Sequence, residues 1–386
     1  MRCEVRDGAE PGHDGNKVRR AGENRNGIKA EKEQERAMKT LRIALLGFGN
    51  SGKALAELLA DKQQEIIETY DCKVIVTAIA TGSRGIVLNS EGIDLHRAVS
   101  DITENGVFSE GTPGLETGQE LLGDGGAEQV LARGDFDVLC ELTPLNIKTG
   151  QPAIGHIRKA FARGAHVVTA NKGPIAWAYR ELRDTAAERG LRFYYETTVM
   201  DGTPVFNLVE HTLKLCRVQE VSGILNSTTN FVLEEMEKGV PYDEIMRSGR
   251  EKGFIEADPA MDLEGYDAAA KITALLNVLM DADMTPDQVD RKGIEDVTPE
   301  QVRALAAEGK SLKLLCRGWR ENGRVFARVA PEAVEKTEFL ATVHGTTSVV
   351  TIQTDLMGRL SIVEEEPEIL QTAYGVFSDL LRVITE

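Results

Sequence analysis

The stretch that decides the fold is 41-LRIALLGFGNSGKALAELLADKQQEIIETYDCKVIVTAIA-80. Its first six residues form a short apolar run, residues 53–70 have the spacing of an amphipathic helix, and residues 73–80 form a second apolar run. Short apolar runs joined by an amphipathic helix are typical of a parallel sheet that helices cover. The stretch therefore predicts one βαβ unit.

The turn after the first predicted strand contains the pattern GxGxxG. In a βαβ unit the first glycine permits the tight turn, the second lets the backbone approach a pyrophosphate, and the third lets the helix lie close to the strand. A phosphate there meets the free N–H groups and the positive dipole end of the helix. We therefore predict a dinucleotide site rather than a merely structural turn. Its residues are Gly47, Phe48, Gly49, Asn50, Ser51 and Gly52.

The segment after the second predicted strand indicates which dinucleotide is bound. A carboxylate is expected there if the ribose 2′-hydroxyl of NAD is held, but none occurs before Glu91. Arg84 in 81-TGSRG-85 can contact a 2′-phosphate instead, although it could also be an ordinary loop cation. We expect NADP, with NAD as the alternative.

The βαβ pattern continues with strands at 136-FDVLCEL-142 and 165-AHVVTA-170 and a helix at 151–164 between them. Strand tips of an open parallel sheet face the ligand crevice. Thr143, Asn146 and Lys172 follow these two strands. We predict that they lie beside the cofactor.

A second informative stretch is 253-GFIEADPAMDLEGYDAAAKITALLNVLM-280, whose C-terminal part predicts a buried helix. Lys271 lies in that helix, and Asp267 precedes it by one helical turn on the same face. Burial lowers the pKa of a lysine, which suits proton transfer, whereas Asp267 opposes that shift. The alternative is a surface ion pair beside a core helix.

Composition limits the remaining possibilities. A length of 386 residues predicts two domains, and a formal net charge of -17 argues against nucleic-acid and membrane partners. The five scattered cysteines have no zinc-ligand spacing, and a disulfide framework is not expected in so long a chain, which favours the reducing cytoplasm. Residues 1–37 are polar and lack the apolar core of a signal peptide, so we expect them to be disordered, with Met38 as an alternative start.

Several blocks in order resemble the homoserine dehydrogenase family over nearly all residues after Met38. They are 47-GFGNSG-52, 169-TANKGPIA-176, 196-ETTVMDGTP-204, 223-GILNSTTNF-231, 253-GFIEADPAMDLEGYDAAAK-271, 344-HGTTSVVTIQTDLMGRL-360 and 374-YGVFSDLLRVI-384. The resemblance implies NAD(P)-dependent interconversion of L-homoserine and L-aspartate 4-semialdehyde in the aspartate pathway to threonine, isoleucine and methionine. It also implies a homodimer.

The implied fold is α/β: a Rossmann dinucleotide-binding domain at 38–176, a central α/β catalytic and dimerisation domain at 177–345, and a segment at 346–386 that returns to the first domain. The resemblance assigns catalysis to Lys271, Asp267 and Lys172. It assigns substrate binding to Glu256, Asp262, Thr228 and Gly253, and cofactor binding to Gly345 in addition to the residues named above. A structural monovalent cation, usually sodium, is expected at Glu196, Val199, Asp201 and Thr203.

The chain departs from the family's pattern at several positions. Phe254 stands where tyrosine is common, Ser227 where glycine is common, and Asp201 where glycine or alanine is common; an inward carboxylate of Asp201 would alter the cation site. The sequence ends at Glu386 without the ACT domain of longer relatives, so weak threonine inhibition is expected. Two other functions remain open. A phosphorylating aldehyde dehydrogenase needs a nucleophilic cysteine, and Cys140 lies inside a predicted strand; an NADP sensor would not need the lysines.

Overall fold

A computed structural model describes residues 38–253, 255–256 and 258–386. The expectations for residues 1–37 and for Phe254 lie outside the described residues. Among the described residues, no helix is both long and apolar enough to span a membrane.

The first sheet contains, among the described residues, seven strands in the order β4-β3-β2-β1-β5-β6-β7. Strands β2, β1, β5, β6 and β7 run parallel, and β3 and β4 are added antiparallel at one edge. The chain leaves β1 for β2 on one side and later returns to β5 on the other, so the crevice for a ligand lies at the carboxyl ends of β1 and β5. The strands are β1 (Lys39–Leu46), β2 (Cys72–Ala80), β3 (Ile86–Leu88), β4 (Leu115–Glu116), β5 (Val138–Glu141), β6 (His166–Thr169) and β7 (Phe193–Tyr194).

Helices connect the strands of this sheet. They are α1 (Asn50–Asp61), α2 (Gln63–Tyr70), α3 (Leu95–Ser100), α4 (Gly125–Arg133), α5 (Ala153–Ala162) and α6 (Lys172–Glu188). The single helix predicted at 53–70 is wrong, because the chain leaves helical geometry at Lys62. The side chain of Gln63 donates a hydrogen bond to the Val74 carbonyl (2.9 Å), which ties the start of α2 to β2.

Helix α6 begins at Lys172 and has Pro174 in its first turn. Proline is tolerated in the first turn of a helix, where its missing N–H has no partner to lose. The Asn171 side chain accepts a hydrogen bond from the Gly173 N–H and caps the helix, and Ala178 (φ -148°, ψ 22°) marks a kink. Lys172 is therefore the first residue of α6.

The second sheet has the strand order β13-β12-β8-β10-β11-β9 among the described residues. Its strands are β8 (Val218–Ile224), β9 (Asp290–Arg291), β10 (Lys310–Glu321), β11 (Arg324–Glu335), β12 (Ser348–Thr354) and β13 (Arg359–Glu364). Strand β13 was not predicted. Its helices are α7 (Val205–Thr212), α8 (Ser227–Glu237), α9 (Tyr242–Glu251), α10 (Ala260–Leu263), α11 (Tyr266–Met280) and α12 (Pro299–Ala307).

Helix α11 lies between the two layers and is the central packing element of the second sheet. Most of its residues are buried, including Ile272 and Leu276. It approaches β10 so closely that a Cβ at Gly318 would lie 2.4 Å from a methyl carbon of Leu276. This packing holds the helix that contains Asp267 and Lys271 in a single orientation.

The last helix, α13 (Ile369–Thr385), packs against the first layer. Its buried Ala373, Val376 and Leu380 share a hydrophobic core with residues of β1 and α1. A Cβ at Gly375 would lie 2.3 Å from Oγ1 of Thr197. The helix is thus seated against the 196–203 segment as well as against α1.

Candidate active site

Two lysines and one aspartate form the centre of the candidate site, which we call the lysine–aspartate cluster. The Lys172 ammonium lies 2.7 Å from Oδ1 of Asp267, and the Lys271 ammonium lies 3.3 Å from Oδ2 of the same carboxylate. The side chains are 19%, 13% and 20% exposed for Lys172, Asp267 and Lys271. One carboxylate therefore bridges two cations, one from each layer of the fold.

The start of α8 supplies the polar groups around this cluster. Asn226 caps the helix, and its side-chain nitrogen donates to Asp262 (2.7 Å) and to Asp267 (3.0 Å). Thr228 also donates to Asp262. The Lys271 ammonium donates to the Leu225 carbonyl (2.8 Å). The residue that caps α8 therefore also holds the carboxylates of the site.

In the cluster, the neighbouring charges shift the pKa values of Asp267 and Lys271 more than burial does. Burial alone would raise the pKa of Asp267, but the neighbouring Lys172 and Lys271 lower it far below its usual range. Burial alone would lower the pKa of Lys271, but Asp267, Asp201 and Asp262 raise it above its ordinary value. The expected lowering of the Lys271 pKa by burial is therefore wrong, because three carboxylates oppose it. Lys271 is a cation at neutral pH.

The glycine loop, residues 47–52, has the close approaches that its pattern predicts. Gly47 has φ +98°, and a Cβ there would lie 2.4 Å from the Leu142 carbonyl oxygen; a Cβ at Gly52 would lie 2.5 Å from the Gly47 carbonyl oxygen. Gly49 faces open space, with no atom within 4 Å of a Cβ, and it begins α1 without a side-chain cap. Free helix N–H groups beside open space fit a pyrophosphate. Phe48 is buried, and Asn50 and Ser51 start the helix.

We expect an alanine substitution at Gly47 to lower stability and one at Gly49 to weaken cofactor binding. Gly47→Ala should destabilise the fold by several kcal/mol, because it places a methyl group against backbone at an unfavourable φ. Gly49→Ala should leave the melting temperature within about 2 °C of wild type but weaken NADPH binding about tenfold. Thermal unfolding and NADPH fluorescence titration measure the two effects. Normal NADPH binding by Gly49→Ala would contradict the phosphate role of this glycine.

The other predicted cofactor residues lie at the ends of the neighbouring strands. Arg84 is half-buried in the loop after β2, where its N–H donates to the Thr81 hydroxyl (2.7 Å). Thr143 is half-buried after β5, beside the glycine loop. Asn146 is exposed, and its side chain accepts a hydrogen bond from the Lys148 N–H (3.1 Å) within its own turn. Asn171 donates to the Thr143 carbonyl (3.0 Å) and so links this edge to Lys172.

The segment predicted to bind a cation surrounds the buried Glu196. The carboxylate accepts hydrogen bonds from the N–H groups of Phe206 and Asn207, both at 2.7 Å, and burial raises its pKa to about 7. Val199 is buried, and Asp201 has φ +45°. The side chain of Asp201 accepts a hydrogen bond from Thr372 of α13 (2.7 Å) and influences Lys271 electrostatically.

Glu364, the last residue of β13, is a site residue that sequence reasoning missed. It is 7% exposed and accepts a hydrogen bond from the Thr203 hydroxyl (2.8 Å). Its other oxygen is buried without a hydrogen-bond partner among the described residues. Burial and the Asp201 charge raise the pKa of Glu364 to about 7. No motif marked this residue, because β13 itself was not predicted.

Three predicted residues lie at the margin of the site. Glu256 is exposed in a loop between two residues that the structure does not describe. Gly253 has φ +77° and ends α9, with its N–H donating to the Arg250 carbonyl. Gly345 is held by α8, through a hydrogen bond from Asn230 to its carbonyl (3.0 Å) and one from its N–H to Glu234 (2.6 Å). The structure does not join these three to the lysine–aspartate cluster by any hydrogen bond or ion pair of the described residues.

A nucleotide cradle linked to a largely buried lysine–aspartate cluster is typical of a nicotinamide-dependent oxidoreductase. The family model described as "Homoserine dehydrogenase, NAD binding domain" matches residues 47–196, and the model described as "Homoserine dehydrogenase" matches residues 204–381. The chain belongs to the homoserine dehydrogenase family.

Individual relatives match most of the chain. A homoserine dehydrogenase of Methanocaldococcus jannaschii is 36% identical over 342 residues, which cover 88% of this chain and 98% of the relative. An NAD(+)-dependent homoserine dehydrogenase of Pseudomonas canavaninivorans is 31% identical, covering 90% of this chain and 97% of the relative. These relatives support the family over both layers of the fold.

Solved structures show the same architecture. A homoserine dehydrogenase of Thiobacillus denitrificans is 28% identical with a TM-score of 0.74, covering 90% of this chain and 74% of that chain. A hyperthermophilic archaeal homoserine dehydrogenase in complex with NADPH is 25% identical with a TM-score of 0.74, covering 89% of this chain and 97% of that chain. The predicted α/β fold class with a Rossmann domain is confirmed.

Proposed function

We propose that this chain interconverts L-homoserine and L-aspartate 4-semialdehyde with NADP as its preferred cofactor, and that the lysine–aspartate cluster carries the proton chemistry. The observation that supports this most is one connected path of contacts. It runs from the glycine loop through Thr143 and Asn171 to Lys172, and from Lys172 through Asp267 to Lys271. Such a path is what one cleft shared by the reacting groups and the nucleotide requires.

The protein's part of the reaction is proton transfer and orientation. A bound nicotinamide supplies the acceptor or donor of the hydride. Lys271, as a cation, offers a proton and a positive charge to the aldehyde oxygen in the reductive direction. In the oxidative direction Lys271 must first lose that proton, so oxidation is favoured by alkaline pH. Asp267 holds both ammonium groups in place.

In this proposal the substrate ammonium group lies beside Asp262, the further carboxylate next to the cluster. Asp262 is held by Asn226 and Thr228, and burial together with Asp267 raises its pKa. A cationic group beside it would relieve the repulsion between these two carboxylates. Asp262 is accordingly the carboxylate best supported for this role, whereas Glu256 is exposed and has no hydrogen bond or ion pair to the cluster among the described residues.

We also propose the monovalent cation, sodium, at the 196–203 segment. The residues fit such an ion: Glu196 is 4% exposed without a cationic partner among the described residues, and its raised pKa is that of an uncompensated buried charge. Carbonyl groups of Val199, Asp201 and Thr203 would complete an oxygen ligand set, which hard cations prefer. A homodimer and a cytoplasmic location complete the proposal.

A spectrophotometric assay tests the function. Purified protein should form NADPH from NADP and homoserine, and should do so with a higher kcat/KM than with NAD. Arg84→Ala should raise the KM for NADP about tenfold and leave the KM for NAD nearly unchanged, because only NADP has a 2′-phosphate. Absence of homoserine-dependent reduction with either cofactor would refute the function. An equal effect of Arg84→Ala on both cofactors would refute the role of this arginine.

A further inference from the structure

A line of hydrogen-bonded side chains, which we call the relay, runs from the protein surface to the tip of β5. Asp124, at the start of α4, is 44% exposed, and its Oδ1 lies 2.6 Å from Nε2 of His156. His156 is buried in α5, and its Nδ1 lies 3.4 Å from Oε1 of Glu141. Glu141 is fully buried at the end of β5. The proposed reaction uses none of these three residues.

The partners of His156 determine its charge. Carboxylates only accept hydrogen bonds, so an imidazole ring placed between Asp124 and Glu141 must donate from both nitrogens, and it does so only as a cation. Burial alone would lower the pKa of His156, but the two carboxylates raise it. Glu141 has no contact with water and one oxygen without a hydrogen-bond partner among the described residues. The imidazolium is therefore the counter-charge that makes a buried carboxylate tolerable.

The inner end of the relay lies at the carboxyl end of β5, where the cofactor is expected. The hydroxyl and the N–H of Thr143 both donate to Oε1 of Glu141. A Cβ at Gly47 would come within 3.0 Å of the Thr143 nitrogen, and Asn171 donates to the Thr143 carbonyl. Thr143 thus stands between the glycine loop and the residue that precedes Lys172.

We propose that Asp124, His156 and Glu141 are positioning residues that hold Thr143 as a hydrogen-bond acceptor toward the bound nicotinamide cofactor. This inference rests on the proposed function for the presence of a cofactor at the glycine loop. The hydroxyl hydrogen of Thr143 points at Glu141, so the lone pairs of the hydroxyl remain for a donor group of the cofactor. Without the imidazolium, Glu141 loses the partner that fixes its orientation toward Thr143, and the Thr143 hydroxyl is no longer held for the cofactor.

The other charged groups near His156 do not obscure how its protonation changes with pH. Glu128 of α4 and Lys159 of α5 form an ion pair with each other. Asp124, Glu128 and His156 also present possible metal-ligand atoms within 4.8 Å of one another. Binding should therefore be measured in EDTA, so that no divalent ion replaces the proton on Nε2.

The test is NADPH binding, followed by fluorescence without homoserine between pH 6 and pH 9, in wild type and five variants. His156→Gln should bind NADPH about tenfold more weakly at neutral pH, with little dependence on pH. The raised pKa of His156 means that wild type keeps full affinity at low pH and loses it as pH rises through that pKa. Asp124→Asn should keep full affinity at low pH but lose it at a lower pH than wild type, because the outer carboxylate is gone. Glu128→Gln, the matched control one turn along α4, should behave as wild type.

Two results would overturn the relay. One is wild-type affinity and an unchanged pH profile in His156→Gln; the other is an unshifted midpoint in Asp124→Asn. If His156→Gln does not fold, Asp124→Asn decides alone, because Asp124 lies at the surface. Thr143→Ser should retain the pH profile, and Thr143→Val should lose it. Since homoserine is absent from these titrations, failure of the proposed dehydrogenase activity would not be mistaken for failure of the relay.

Discussion

Replacing Lys271 with alanine is expected to lower kcat for homoserine oxidation about a thousandfold while NADPH affinity stays near that of wild type. Among the described residues, two contacts hold the Lys271 ammonium group: its ion pair with Asp267 and its hydrogen bond to the Leu225 carbonyl of the second layer. Its raised pKa predicts that wild-type oxidation accelerates with pH into the alkaline range, since the proton must leave first. Steady-state rates between pH 7 and pH 11 measure both effects.

Two controls make this test specific. Lys238→Ala removes an exposed lysine that pairs with Glu234 and Glu235 of its own helix, and it should leave kcat unchanged. Added methylamine should restore part of the activity of Lys271→Ala, because a small amine can enter the space of the lost side chain and carry the proton. Near-normal turnover with an unaltered pH profile in Lys271→Ala would remove this lysine from the proton chemistry and leave Lys172 as the alternative.

Replacing Asp267 with asparagine is expected to lower the free energy of unfolding at pH 7 by about 3–5 kcal/mol and kcat by about a hundredfold. The substitution leaves the ammonium groups of Lys172 and Lys271 facing each other without the carboxylate that now bridges them. The folded pKa of Asp267 is depressed, so its stabilisation is complete above the unfolded value of about 3.9 and is lost as pH falls towards the folded value. Urea unfolding at pH 7 and pH 3 should therefore show a smaller difference between variant and wild type at acid pH.

Asp281→Asn provides the matched control. Asp281 follows the last residue of the same helix, is 61% exposed and pairs with Arg183 at the surface. Asparagine tolerates its left-handed backbone conformation, and an exposed ion pair contributes at most about 1 kcal/mol. Equal losses of stability in the two variants would show that the cluster stabilises no more than a surface pair does.

Local sequence patterns were sufficient for the first strands of the fold, for the glycine loop and for one ion pair of the site. The apolar runs and the glycine spacing predicted β1, α1 and β2, because periodicity and turn chemistry act over a few residues. The Asp267–Lys271 pair was predicted for the same reason, since one helical turn separates the two residues. The family resemblance assigned Lys172 to the site, but its bridge to Asp267 was not predicted, because the two residues are 95 positions apart in the chain. The roles assigned to these residues stay predictions.

The parts that sequence reasoning missed depend on contacts between distant segments. Glu364 is a site residue only because β13 pairs with β12 and brings it to Thr203. In the sequence, His156 is simply one residue of a predicted helix. Its proposed role depends on two carboxylates, one from β5 and one from the start of α4. The pKa of Lys271 was misjudged because burial was read from the helix pattern, while the carboxylates Asp201 and Asp262 come from other elements.

The bridge between Lys172 and Asp267 joins the two layers through a single carboxylate oxygen. Neither layer can set the distance between the two ammonium groups by itself. The chain passes from the first layer to the second at the exposed Leu215 and returns to the first layer with α13, so a cut at Leu215 would divide both hydrophobic cores between the two fragments. Two separately expressed fragments would thus be inert in isolation, and any turnover recovered on mixing them would report how well the fragments reassociate.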